Sequence, residues 1–178
     1  MALPATLRRF SIALADSDRE LYEQLDWRVA QHPSENERYL VARLIARCLE
    51  HAEGMDFSKG GVSDDEEPAI IQKDLRGDWV AWIEVGSPSP ARLHKAAKLA
   101  PRVAVYGWKN VDALRAAITD EKVHRGADIA VRELPVELLD AVAATLDRVN
   151  TWELAVTGGT LYLGVGGKSF EGAVRIVG

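Results

Sequence analysis

Hydrophobic residues alternate in the first thirty positions. Phe10, Ile12 and Leu14 fall on one side of the stretch Thr6 to Ala15, and Leu25, Trp27 and Val29 fall on one side of Leu21 to Gln31. Period-two alternation marks a half-buried strand, and the turn-rich segment Ala15-Asp16-Ser17-Asp18-Arg19 separates the two runs, so the chain opens on a predicted β-hairpin. The period then changes. Leu40, Val41, Leu44, Ile45, Cys48 and Leu49 form one helical stripe, which should end near His51, before Gly54. Ser34 as N-cap, with Glu37 three residues on, predicts a capping box at its start.

Beyond the helix the pattern shortens. Met55 to Ser58 reads as a short strand, and a loop from Lys59-Gly60-Gly61 runs through the acidic block Asp64-Asp65-Glu66-Glu67-Pro68. Ala69 to Asp74 and Trp79 to Val85 read as two strands joined across Leu75-Arg76-Gly77-Asp78. The second is apolar on both faces, as a central strand should be, with Trp79, Ala81, Ile83 and Val85 on one face and Val80, Trp82 and Glu84 on the other. Helices then alternate with strands. The expected order is helix Ser89–Leu99, strand Arg102–Tyr106, helix Asn110–Thr119, strand Ile129–Glu133 and helix Val136–Arg148. A hairpin of Thr151–Thr157 and Leu161–Val165 turns at Gly158-Gly159, and a last strand spans Ser169–Val177. The fold class is α/β (α+β): an α/β middle flanked by antiparallel strands at both termini.

Composition adds bounds. The 178 residues fit a single domain spanning 1–178 with a full core. The start carries no apolar stretch of the kind a signal peptide needs, and no run is long enough to span a bilayer, so a cytoplasmic protein with no membrane partner is expected. The single cysteine, Cys48, excludes an internal disulfide and a multi-thiolate metal site, and its place on the helical stripe makes it a core residue. A net charge of −5 argues against coating nucleic acid by bulk electrostatics, while leaving room for a local basic rim. Gly167-Lys168-Ser169 ends like a phosphate loop, but Tyr162 stands where the upstream glycine belongs, so it is read as a turn.

Glu84 is the anomaly. A carboxylate on an apolar face of a central strand must be paired, hydrogen-bonded, metal-bound or protonated. A turn centred between Arg76 and Gly77 sets Glu84 opposite Ala69, which makes Glu67 its nearest acidic neighbour and Asp65 the next. Two carboxylates at a strand end suit Mg²⁺, an ion that takes oxygen ligands and keeps several waters. Lys95 on the following helix is the cation expected to face back over the strand end, with Arg92 and Lys98 on the same side of that helix. An ion pair of Glu84 with Lys73 or Arg92 is the rival to metal binding. On a helical wheel Glu37 falls inside the apolar stripe and points inward, and Glu35 falls opposite; for Glu37, capping competes with catalysis.

His32-Pro33-Ser34-Glu35, the Glu37-Arg38 helix, Phe57-Ser58-Lys59-Gly60, Asp64-Asp65-Glu66-Glu67-Pro68, Gln72-Lys73-Asp74-Leu75 and Trp82-Ile83-Glu84-Val85-Gly86 resemble the successive motifs of the YaeQ family. The resemblance is dense from the N-terminus to about Lys98 and lies in length and layout beyond it. It implies a variant of the restriction-endonuclease-like fold with its PD-(D/E)xK signature, a mixed sheet flanked by helices, here with N-terminal and C-terminal β-hairpin additions. By that resemblance Glu84 takes the place of the second acid, and Asp65 or Glu67 that of the first. Gly86 stands at the lysine position, so Lys95 from the next helix fits that role. The implied activity is Mg²⁺- or Mn²⁺-dependent phosphodiester hydrolysis by a monomer acting on nucleic acid, with Glu37, Asp65, Glu67, Gln72, Lys73, Glu84 and Lys95 as candidate site residues, Asp65, Glu67 and Glu84 holding the metal. The alternative is a catalytically silent binding or regulatory module that keeps the fold.

Overall fold

The structure is a computed structural model and describes residues 3–59 and 66–178. The elements follow in the order β1 (Thr6–Asp16), β2 (Leu21–Gln31), α1 (Glu37–Leu49), β3 (Met55–Phe57), β4 (Ile70–Lys73), β5 (Trp79–Val85), α2 (Pro90–Leu99), β6 (Arg102–Gly107), α3 (Val111–Asp120), β7 (Ala130–Glu133), α4 (Val136–Ala143), β8 (Val149–Thr157), β9 (Thr160–Val165), β10 (Lys168–Ala173) and β11 (Arg175–Val177). The described chain divides into two units. One combines the N-terminal segment up to Ala42 with Pro135–Val174, and the other combines Arg43–Leu134 with Arg175–Gly178.

The first unit is built on a five-stranded sheet in the order β10-β9-β8-β1-β2. The expected hairpins at both ends of the chain are present. They are joined to one another, because β1 pairs in parallel with β8, Phe10 beside Asn150 and Ile12 beside Trp152. The alternation then has one meaning across all strands: Phe10, Ile12, Leu14, Leu25, Trp152, Leu154, Leu161 and Leu163 are buried on one face. Phe10 and Trp152 meet edge to face with centroids 5.2 Å apart. The Gly158-Gly159 turn has positive φ at both glycines, as a tight hairpin requires. Asp18 in the β1–β2 turn accepts both of their N–H groups, at 2.7 and 2.9 Å, which holds its carboxyl below the usual aspartate range. The Gly166-Gly167 turn, also at positive φ, joins β9 to β10, so Gly167-Lys168-Ser169 is a hairpin corner.

Two expected boundaries move. The helix predicted to run to Arg148 stops at Ala143, because buried Asn150 claims the chain just before β8: its side chain accepts from Asp147 N–H at 2.9 Å and donates to Asp147 C=O at 2.8 Å. The single last strand divides at Val174, where β10 ends in the first sheet and β11 goes on to pair with β7.

The second unit carries a six-stranded mixed sheet in the order β11-β7-β6-β5-β4-β3. β3, β4 and β5 form an antiparallel meander, and β5, β6 and β7 run parallel with α2 and α3 between them. One face buries Trp82, Val103, Val105 and Val131 with Leu93, Ala96 and Ala97 of α2 and Ile118 of α3. The predicted β4–β5 register holds, with Ile70 beside Ile83 and Ile71 beside Trp82, until an irregularity at Gln72/Lys73. There Lys73 pairs with Trp79, leaving Val80 as the extra residue of a bulge. Trp79 therefore changes face and packs on Trp82, ring centroids 4.9 Å apart, instead of joining Ala81 and Ile83 as simple alternation predicts.

Where β10 meets α4 there is no room for a side chain. A Cβ on Gly172 would sit 2.6 Å from Pro135 Cγ and 2.7 Å from Pro135 Cβ. Gly172→Ala should lower unfolding stability by about 1–3 kcal/mol in chemical denaturation, the usual consequence of overpacking. An unchanged denaturation midpoint would contradict this packing.

Candidate functional site

Glu84 enters its site through the sequence that follows it. β5 ends at Val85, and Gly86 turns the chain with φ +104, a conformation that L side chains rarely adopt. A lysine at position 86, like any L side chain, would be strained in that conformation. Gly86 N–H donates to Tyr106 C=O at 2.9 Å, which ties the turn to β6. Ser89 then caps α2, its Oγ accepting from Arg92 N–H at 3.2 Å, and Pro90 occupies the first helical position. A helix that starts so soon after the strand places its first turn over the strand end. Arg92 stands in that turn.

The buried Glu84 carboxylate receives two donors on Oε1: Trp82 Nε1 at 2.7 Å and Arg92 Nε at 2.5 Å. Arg92 also donates through Nη2 to the Glu67 backbone carbonyl at 2.8 Å, and its guanidinium carbon lies 5.8 Å from the Trp82 ring centroid. One guanidinium thus connects Glu84 with the acidic segment before β4. A charge-assisted hydrogen bond of this kind contributes more than a neutral one, and it answers the desolvation that burial imposes on Glu84. Of the two rivals for a Glu84 ion pair, the partner is Arg92.

The other expected residues take distinct positions. Glu67 directs Oε2 to Ser58 Oγ at 3.1 Å. Asp65 lies outside the described residues. Lys95 is exposed, and its ammonium stands 3.6 Å from Glu66 Oε2, one helical turn beyond Arg92. Gln72 pairs with Ala81 and so faces away from Glu84; its amide donates to Glu53 C=O at 2.9 Å. Lys73 lies over the Trp79 ring at 4.6 Å from its centroid, a cation–π contact. Glu37 corrects the helical-wheel expectation: it is exposed, and Glu35 is buried. The helix begins later than the predicted capping box requires, because Asn36, with its side chain accepting from Tyr39 N–H at 2.8 Å, is the N-cap. Ser34 instead meets His32 Nδ1 at 2.7 Å. Among the described residues, no group of three or more His, Cys, Asp or Glu side chains is placed to hold a metal ion.

A second buried acid lies on the opposite face of the same sheet and was not anticipated. Glu50, just past α1, accepts from both terminal nitrogens of Arg102, with Nη2 at 2.9 Å, and from Tyr106 Oη at 2.6 Å. Arg102 pairs with Ala81 and Tyr106 with Val85, which places both opposite Glu84's face. Burial, the Glu50 charge and its hydrogen bond push the Tyr106 hydroxyl well above the ordinary tyrosine range. The signal available in the sequence was the pair Arg102 and Tyr106, four residues apart on one face of a strand expected to be apolar.

Two expectations follow from these pairs. Arg92→Ala leaves Glu84 buried with one donor fewer and should destabilise the fold by about 1–3 kcal/mol. A cycle with Glu84→Leu should recover much of that loss, whereas additive losses in urea unfolding would contradict the pairing. For Tyr106, the neutral form is favoured by folding, so its stabilisation is full below the unfolded tyrosine value near 10 and declines as pH rises beyond it. The stability gap between the native chain and Tyr106→Phe should therefore be constant at neutral pH and shrink above about pH 10. A gap that stays constant to higher pH would oppose this.

The family described as YaeQ protein matches residues 1–174. The Uncharacterized protein YaeQ of Escherichia coli (strain K12) is 32% identical over 168 residues, covering 92% of this chain and 90% of that protein. The protein of the same name from Salmonella typhi is 29% identical over the same length. The crystal structure of YaeQ protein from Pseudomonas syringae superposes with a TM-score of 0.89 at 26% identity, covering 99% of this chain and 98% of that one. That from Xanthomonas axonopodis pv. citri gives a TM-score of 0.87 at 27% identity, covering 97% of each chain. With the family matched across nearly its whole length, this chain belongs to the YaeQ family.

Proposed function

We propose that this chain is a catalytically silent binding or regulatory module on a variant restriction-endonuclease-like fold, in which Arg92 takes the place of the divalent cation. The supporting layout is the antiparallel β3-β4-β5 meander followed by parallel β6 through α2, with an acid near the end of the central strand. One observation carries the reading: Arg92 bridges Glu84 Oε1 at 2.5 Å and the Glu67 carbonyl at 2.8 Å. A guanidinium there already neutralises Glu84. A divalent ion beside it would meet repulsion of about 4 kcal/mol per unit charge at 4 Å and an effective dielectric of 20. The donors among the described residues do not fit a divalent ion as they stand, since Glu84 is held by Arg92 and Trp82, and Glu67 is turned to Ser58.

A second reading, a Mg²⁺- or Mn²⁺-dependent nuclease, has one observation in its favour. The pair of Lys95 with Glu66 and the bond from Arg92 to Glu67 hold the described end of the acidic block over the start of α2, next in sequence to Asp65.

The test compares wild type with Glu84→Gln in millimolar Mg²⁺ or Mn²⁺, reading melting temperature and cleavage of single- and double-stranded DNA and RNA. The proposal expects no metal-dependent shift and no cleavage. Metal-dependent cleavage by wild type that disappears in Glu84→Gln would overturn it in favour of the nuclease.

A further inference from the structure

The first unit contains a cluster of positive charge that neither reading uses. Arg28 on β2 and Arg9 on β1 are direct cross-strand partners, and Arg9 N–H donates to the Arg148 carbonyl at 2.8 Å, so Arg148 adjoins them at the start of β8. Arg9 and Arg28 therefore stand side by side on strands spaced about 4.8 Å apart, and Arg148 lies one residue before Val149, the β8 residue that pairs with Arg9. They line a cavity of about 570 Å³ together with Arg8, and no carboxylate contributes to its lining. Arg8 is already engaged, donating to Gln31 Oε1 and Asp147 C=O, both at 2.8 Å. Arg9, Arg28 and Arg148 are exposed, and among the described residues none of their guanidinium groups forms an ion pair or hydrogen bond.

Like charges directly opposite one another on a sheet are destabilising. Among the described residues, neither Arg9 nor Arg28 is ion-paired, although Asp26 lies two residues from Arg28 on the same face. An anion in the cavity would relieve the repulsion, and arginine forks match the oxygens of phosphate.

We propose that this cavity binds a compact oligophosphate, such as the polyphosphate group of a nucleotide. Its size lies within the range usual for small-molecule sites. An extended nucleic-acid strand fits less well, because the same sheet face beyond the arginines carries Asp26 on β2, Glu153 on β8 and Glu171 on β10, as the register places them. The whole chain is also acidic, at −5. The site lies in a different unit from Glu84, so it stands whether or not Glu84 takes part in catalysis.

The experiment uses the full chain in EDTA at low salt, with inorganic pyrophosphate as probe and sodium chloride of matched ionic strength as control. Melting temperature and calorimetric affinity are read for wild type, Arg28→Thr and Arg148→Ala. Pyrophosphate should raise the wild-type melting temperature beyond the chloride control, and each variant should weaken binding at least tenfold. Arg28→Thr removes the like-charge contact, so without ligand it should melt at or above wild type, which separates loss of binding from loss of fold. No pyrophosphate effect in wild type, or an equal effect in both variants, overturns the proposal. A single-stranded oligonucleotide that binds wild type and is not displaced by pyrophosphate overturns it in favour of an extended strand. Because the assay contains no divalent metal and reads no cleavage, its failure is distinct from any failure at Glu84.

Discussion

A carboxylate buried at the end of a central strand has to be compensated by pairing, hydrogen bonding, a metal or protonation, and in this chain Arg92 supplies the compensating charge. The second unit is arranged to make that possible. Gly86 bends the strand end sharply, Ser89 and Pro90 start α2 at once, and the first turn of the helix brings a guanidinium onto Glu84 and the Glu67 carbonyl together. Trp82, two residues before Glu84 on the same face, adds its indole N–H and covers the pair with an apolar wall. The same guanidinium that makes the burial of Glu84 tolerable is the group that, in the proposed function, takes the place of a divalent cation.

The opposite face repeats the solution with different parts. Glu50 is held by Arg102 and Tyr106, so the central sheet carries a satisfied acid on each side. Buried charges of this sort contribute little net stability compared with apolar packing, yet removing one partner is costly, which makes them determinants of a single arrangement more than sources of stability. The first unit follows another logic. Its buried face is mostly apolar, with Asp16, Gln31 and Asn150 as polar exceptions, while its other face carries Arg9 and Arg28 near one end and Asp26, Glu153 and Glu171 beyond them.

Much of this was legible from local pattern. The strands of both terminal hairpins, the stripe of α1, and β5 with Glu84 on Trp82's face could all be read from periodicity, and turn counting gave the β4–β5 register. What escaped depended on distant partners or on competition between neighbours. The β1–β8 pairing joins residues about 140 positions apart, and no local feature announces it. The face of Trp79 turns on a bulge at Val80, and a one-residue irregularity does not disturb an apolar run. Asn36 stands as N-cap in place of Ser34, both being good caps two residues apart, and Glu37 is then the first helical residue, at the exposed end of its stripe. At the site, the sequence supplied Arg92, Lys95 and Lys98 on one helix side; the short turn through Gly86 decided that the first of them reaches Glu84.

The reading of Glu84 proposed above turns on a guanidinium standing where a divalent ion would bind. The most direct measurement is anomalous diffraction at the manganese edge from crystals soaked in millimolar Mn²⁺. No anomalous peak is expected within coordination distance of Glu84, with Arg92 still bonded to its carboxylate. A peak bridging Glu84 and the acidic segment, with Arg92 displaced, would contradict that reading.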